Sequence, residues 1–281
     1  MYDTLLTPFE GVHTVHADMQ QVFALEQSHF FRTQRIGACV YAIDGGNQVI
    51  YDFVSCALHI IRVACVRYYQ GQFTQTCATY LVYMQPHGYD VYTDKHEFVQ
   101  TCACSSIDEV RVYLEQKHAQ QLSVESHSIL LFDGTPLCMR DTCLSVGISK
   151  QCSLLTDKNI ALSLVADKLI EGQGYVRVGQ DNGFVIVMAR LHPKAKQVFR
   201  VDIPVVADSM SVLGQVASMC NDMSFVGYPY PLIKADMLAR VSNDEVQFMQ
   251  HHIMFFMQKY PLFARMHAYH HVHGVLDAMR F

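Results

Sequence analysis

The sequence predicts an α/β protein with a mixed β-sheet core, helices on its faces and a helical C-terminal region, and three observations carry that expectation. Residues 38–46, ACVYAIDGG, form a short apolar run that delivers one carboxylate, Asp44, into a pair of glycines. Residues 128–134, SILLFDG, repeat the device and present Asp133 to a second glycine. Between the two, the apolar spacing changes to intervals of three and four, as in a helix with one buried stripe.

The elements follow in chain order. Residues 14–35 carry many helix formers and predict a leading helix. Cys39, Val40, Tyr41 and Ile43 then make a buried strand that Gly45-Gly46 is expected to end. The β-branched run 49–69 suggests two further strands, and 72–84 another, followed by a turn at Pro86-His87-Gly88. From Ser106 onward, Ile107, Val110, Leu114, His118 and Leu122 mark a helical stripe. At about 100° per residue, Glu115 falls on the border of that stripe and Glu109 faces solvent.

After the Asp133 strand comes a strand over 144–150 that ends at Lys150, then a helix over 158–171. Asp181-Asn182-Gly183 is a hairpin signal between two strands, and 197–204 is a strand closed by Pro204. Helices are expected over 209–221, 231–241 and 244–260. Pro231 suits a first helical turn, where its missing N–H costs nothing. Leu232, Asp236 and Ala239 share one face, so Asp236 turns inward, where a carboxylate needs either a metal or a salt bridge with Arg240 or Lys234.

Composition narrows the function. Across 281 residues no stretch resembles a linker, which predicts one domain over 1–281, with its core at about 35–241 and a helical extension over 242–281. The apolar region 49–66 is interrupted by Asp52, His59 and Arg62, which argues against a membrane span. MYDTLLTPFEG lacks the basic, apolar pattern of a signal peptide and predicts a cytoplasmic protein. The ten cysteines are scattered without a CxxC pair, so they read as reduced, and the lone CxC of Cys102 and Cys104 makes no zinc site. His251-His252 and the tail histidines His267, His270, His271 and His273 read as surface residues. A net charge of −5 excludes a protein that coats nucleic acid with its whole surface but permits a local basic channel.

Two acids on neighbouring strands supply hard oxygen ligands for divalent cations. The ordered set AIDGG, LEQKHA, LLFDGTPL, GISK, VFRVDIP and GYPYPLIKAD, spanning Arg35 to Val241, resembles the NurA family of DNA-repair nucleases. The resemblance implies an RNase H-like core and a manganese-preferring nuclease that degrades DNA ends and cuts single strands. It further implies a homodimer enclosing a DNA channel and served by a hexameric HerA-type ATPase. By position, Asp44, Glu115 and Asp133 take the places of the family acids, Lys150 that of the strand-end lysine and Tyr228 that of the GYP tyrosine. This chain departs from the family at Asp236, where a histidine is usual, and at Gly46, where a serine is common.

The expected metal ligands are therefore Asp44, Glu115, Asp133 and Asp236, holding Mn²⁺ or Mg²⁺, as two ions in a two-metal scheme. Lys150 would neutralise charge on the phosphate, and Tyr228 would orient water or stack on a base. Arg35, Lys150, Arg177 and Arg200 are candidates to line a basic groove. Two rivals remain: a non-catalytic subunit of the same fold that docks a partner ATPase, and an actin-like kinase or ATPase, whose phosphate loops neither AIDGGNQ nor LFDGTPL fits well.

Overall fold

The computed structural model describes residues 28–53, 56–85, 88–136, 142–150 and 161–257. Its strands in chain order are β1 (His29–Phe30), β2 (Val40–Phe53), β3 (Cys56–Tyr69), β4 (Gln72–Gln85), β5 (Gly88–Thr93), β6 (Phe98–Cys102), β7 (Ser128–Asp133), β8 (Cys143–Ser149), β9 (Gly174–Asp181), β10 (Phe184–Arg190) and β11 (Phe199–Pro204). The helices are α1 (Ile107–Gln121), α2 (Leu162–Leu169), α3 (Ser209–Ala217), α4 (Tyr230–Ala239) and α5 (Asn243–Met257). Among the described residues the strands form one mixed sheet in the order β1-β9-β10-β11-β8-β7-β2-β3-β4-β5-β6. β7 runs parallel to both β2 and β8, and the other pairings are antiparallel.

Alternation along the strands sorts side chains onto two faces. Val40 and Ala42 of β2, Ile129 and Leu131 of β7, and Val146 and Ile148 of β8 share a core with Val212 and Leu213 of α3 and Leu232 and Ala235 of α4. Tyr41, Ile43, Leu130 and Phe132 face the other way and pack against Val110, Leu114 and Ala119 of α1. Ser106 caps α1 by accepting from Glu109 N–H at 3.2 Å, and Asp208 caps α3 by accepting from Ser211 N–H at 3.0 Å. Asn182 and Gly183, with φ of 47° and 82°, make the tight β9-β10 turn.

Four expectations need correction. β2 does not stop at Gly45-Gly46. It continues to Phe53, because β3 pairs with it along this length and α5 buries its far half, where Tyr51 donates to Gln250 O at 2.7 Å and Gln250 donates to Ile50 O at 2.6 Å. The glycines serve close approach: a Cβ on Gly45 would collide with Glu115 Oε1, and one on Gly46 with the carbonyl oxygen of Ala239. Asp44 therefore lies within a long strand, and the run 49–69 is the rest of β2 plus β3.

The expected leading helix falls mostly outside the described residues. At its described end, His29–Phe30 pairs with β9 and Phe31 joins the core, so strand pairing replaces helix there. The β5-β6 hairpin was not anticipated, since 88–102 is short and polar, yet Tyr89, Val91 and Cys102 bury against α1's side of the sheet. The tail histidines lie outside the described residues; His251 and His252 are exposed on α5.

Candidate active site

The register of the central strands builds the site. β2 and β7 run parallel with Val40 opposite Ile129 and Ile43 opposite Phe132, so the next residues, Asp44 and Asp133, stand side by side. Their parity is that of Val40, Ala42, Ile129 and Leu131, which places them on the face covered by α3 and α4. Packing of Leu232 and Ala235 lays α4 across β2 and brings Asp236 to the same place. One carboxylate oxygen from each of Asp44, Asp133 and Asp236 lies within 4.8 Å of the others.

Three acids this close repel one another, and the surroundings compensate only in part. Asp44 is buried and accepts a hydrogen bond from Gly45 N–H at 2.8 Å. Burial first, and the Asp133 charge second, push its pKa up to about 7. Lys150 Nζ donates to Asp133 Oδ2 at 2.7 Å and lies 3.6 Å from Asp236 Oδ1. Burial opposes its charge, but the hydrogen bond to Asp133 and the charges of Asp133, Asp236 and Asp44 prevail and raise its pKa. Asp236 also meets Arg240 at 2.7 Å on its exposed side. Asp236 thus joins the cluster and forms the salt bridge that was its alternative. The donor set, three hard oxygens with an excess of negative charge, suits a divalent cation.

Glu115 is not one of these three. It is only 3% exposed and lies on α1, against Gly45, near enough to the cluster for the charges of Asp44 and Asp133 to act on its carboxyl. Arg111 pairs with its Oε1 and also donates to Gly45 O at 3.3 Å. Burial raises the pKa of the Glu115 carboxyl, the Arg111 charge and hydrogen bond pull it down, and the charges of Asp44 and Asp133 add to the rise. Of the residues expected to converge, the structure brings Asp44 and Asp133 together with Asp236, and holds Glu115 against Arg111. Arg111 was not among the residues expected at the site, although its position four residues before Glu115 on a predicted helix signals an ion pair.

Residues 145–241 match the family model described as the NurA domain. Over this stretch the chain is similar to the NurA family. In structure it is similar to the NurA nuclease from Sulfolobus solfataricus, with a TM-score of 0.57 and 13% identity over 83% of this chain and 88% of that one. It is also similar to a NurA solved with manganese, with a TM-score of 0.52 and 8% identity over 83% of this chain and 91% of that one. These likenesses establish the RNase H-like fold. No curated protein matches the chain in sequence.

The remaining expected residues divide. Tyr228 is 5% exposed, with its ring 5.4 Å from that of Phe199 and 4.9 Å below Lys150 Nζ. A ring so enclosed cannot stack on a nucleobase. Its hydroxyl lies beside Asp133 without a well-directed hydrogen bond, and burial followed by the charges of Asp133 and Asp44 raises its pKa. Arg200 leaves the list of groove candidates, because its Nε donates to Asp202 Oδ1 at 2.8 Å. Asp202 is 1% exposed and also accepts from Thr135 at 2.8 Å, which ties down the loop after Asp133. Arg35 is exposed and Arg177 half-buried. No helix among the described residues is long and apolar enough to cross a membrane.

Proposed function

We propose that this chain is a divalent-metal-dependent deoxyribonuclease, in which Asp44, Asp133 and Asp236 hold Mn²⁺ or Mg²⁺. The observation that carries this reading is the meeting of the three carboxylates, from β2, β7 and α4, within 4.8 Å of one another in a chain whose residues 145–241 match the NurA domain. Sulfolobus solfataricus NurA, which shares the fold, is a nuclease by its own description. When bound, a divalent cation here supplies an activated water and stabilises the oxygen that leaves phosphorus.

The chain's own groups do the rest. Lys150, held over the Tyr228 ring and half-exposed, turns from Asp133 and Asp236 to a phosphate oxygen as the cluster takes up a cation. Tyr228 fixes the height of that ammonium and excludes water beneath it. The substrate is DNA, degraded from its ends and cut in single strands during double-strand-break end processing in the cytoplasm. The working unit is a homodimer fed by a HerA-type hexameric ATPase, a reading supported by the resemblance to the NurA family.

End-labelled DNA incubated with the purified chain and Mn²⁺, Mg²⁺ or EDTA tests the proposal. Cleavage should require the metal and fall at least ~100-fold in Asp133→Asn, the scale of losing one preorganised electrostatic group. Cleavage that persists in EDTA, or at full rate in Asp133→Asn, sinks it.

A further inference from the structure

The Arg111–Glu115 pair lies against Gly45 of β2, next to the acidic cluster, where the Asp44 charge acts on both of its members. Arg111 is held from three sides: by Glu115, by the carbonyl of Gly45 at 3.3 Å, and by Asp108 at 3.7 Å. Asp108 is in turn fixed by Asn47 of β2, whose side-chain amide donates to it at 2.9 Å. The guanidinium side chain is 24% exposed and the Glu115 side chain 4%. A carboxyl already matched by a guanidinium offers no net charge to a cation. Gly45, whose missing Cβ makes room for Glu115 Oε1 and Arg111 Cγ, keeps the pair pressed against the strand.

We infer that Arg111 withholds Glu115 from the acidic cluster, so that this chain binds one divalent cation per site in the absence of DNA; the inference rests on the nuclease reading above. The charges agree. With Asp44, Asp133 and Asp236 ionised and Lys150 and Arg240 paired to them, one excess negative charge remains. A first divalent ion reverses that sign, and a second meets net repulsion without the fourth carboxylate to offset it. Arg111 thus acts as a positioning residue: it holds Glu115 against Gly45 and restricts the metal centre to the three aspartates.

The test is a count. Mn²⁺ is titrated into the full chain without DNA, and free Mn²⁺ is read by electron paramagnetic resonance. Wild type should bind one ion. Glu115→Gln should bind one ion with affinity within about threefold of wild type, well short of the roughly 10–100-fold expected when a group that supports a metal is lost. Arg111→Gln, which frees Glu115, should bind a second ion, whereas Arg111→Lys, which keeps the cation, should not. Two ions on wild type, a loss of tenfold or more in Glu115→Gln, or a count of one in a folded Arg111→Gln overturns the inference. If Arg111→Gln fails to fold by circular dichroism, the wild-type and Glu115→Gln titrations decide alone. Wild type that binds no Mn²⁺ overturns the metal site and the nuclease reading as well, whereas two ions overturn only the single-ion centre.

Discussion

Two ion pairs with the same helical spacing flank β2, one on each face, and their surroundings give them opposite characters. On α4, Asp236 pairs with Arg240, whose side chain is 73% exposed. On α1, Arg111 pairs with Glu115, whose side chain is 4% exposed. In water an i,i+4 pair contributes only about 0.3–0.5 kcal/mol, so its cation is readily exchanged for another. Shut between a helix and a sheet, removal of either partner strands a buried charge at a cost of about 3–5 kcal/mol. Spacing alone does not tell a ligand from a structural carboxylate. Access of solvent to the partner cation does, and it leaves Asp236 free to exchange its cation while Glu115 stays locked to its own.

The sharpest way to break this comparison is Asp236→Asn. As a metal ligand, Asp236 should take at least ~100-fold of cleavage with it, the scale of one lost electrostatic group. Stability should move by less than about 1 kcal/mol, because both its salt bridges are partly or largely exposed. Thermal melting and metal-dependent cleavage on the same variant separate the roles. A large loss of melting temperature with the cleavage rate spared would make Asp236 a structural residue like Glu115. Asp236→His, which restores the residue usual in the family, should retain activity with a stronger bias toward Mn²⁺, since imidazole is a softer ligand than carboxylate.

Next in size is the pH dependence that an unmatched cluster imposes. The Asp44 pKa rises in the folded chain from an ordinary 3.8 to about 7. Between those values the fold retains a proton that the unfolded chain releases, so metal-free stability should decline from about pH 4 to pH 7 and then level off with respect to Asp44. Melting of the EDTA-treated protein should show this slope, and Asp44→Asn should reduce it. Mn²⁺ binding must expel the Asp44 proton, so apparent affinity should climb by up to about tenfold per pH unit below 7. A metal-free protein that gains stability from pH 5 to 7 would contradict the buried, uncompensated state of Asp44.

The same neighbourhood explains what the sequence could and could not reveal. Asp44 and Asp133 were legible because each follows a continuous apolar run, and parallel pairing of such runs sets the two acids side by side. The β9-β10 hairpin was legible because Asn182-Gly183 favours one turn geometry. Gly45 and Gly46 misled, since a glycine that breaks a strand and one that admits a helix look alike in sequence. Only tertiary packing, α1 against one glycine and α4 against the next, distinguishes the two. Glu115 was placed correctly on its helix, but its role turned on Arg111, a cation whose burial has no local signature.

Those glycines offer a smaller perturbation of each face in turn. Gly46→Ala drives a methyl into the backbone of α4 at Ala239, which cannot swing aside, and should cost about 1–3 kcal/mol of stability. Because α4 carries Asp236, Mn²⁺ affinity should fall with it. Gly45→Ala meets the side chains of Glu115 and Arg111, which can yield, and should cost less and spare Mn²⁺ binding. Chemical denaturation and Mn²⁺ titration of the two variants check the contrast, and equal losses of Mn²⁺ affinity would show that the two faces are not independent.

The smallest effect is expected at Arg240, and it tests the comparison from its exposed end. The guanidinium reaches Asp236 Oδ2 at 2.7 Å, while the residue's backbone carbonyl accepts from Arg62 at 2.9 Å, a bond that truncating the side chain leaves in place. Arg240→Ala should therefore change stability by no more than about 0.5 kcal/mol, the range for an exposed i,i+4 pair. It also removes a cation that competes with the metal for Asp236. Mn²⁺ affinity should rise slightly, by about twofold, which is the same energy read as a binding constant. Titration at low ionic strength gives the clearest reading, because salt screens a pair this exposed. A loss above about 1 kcal/mol, beyond the range of an exposed pair, or weaker Mn²⁺ binding, would mean that Arg240 holds Asp236 in place as Arg111 holds Glu115. Exposure would then not be what separates the two pairs.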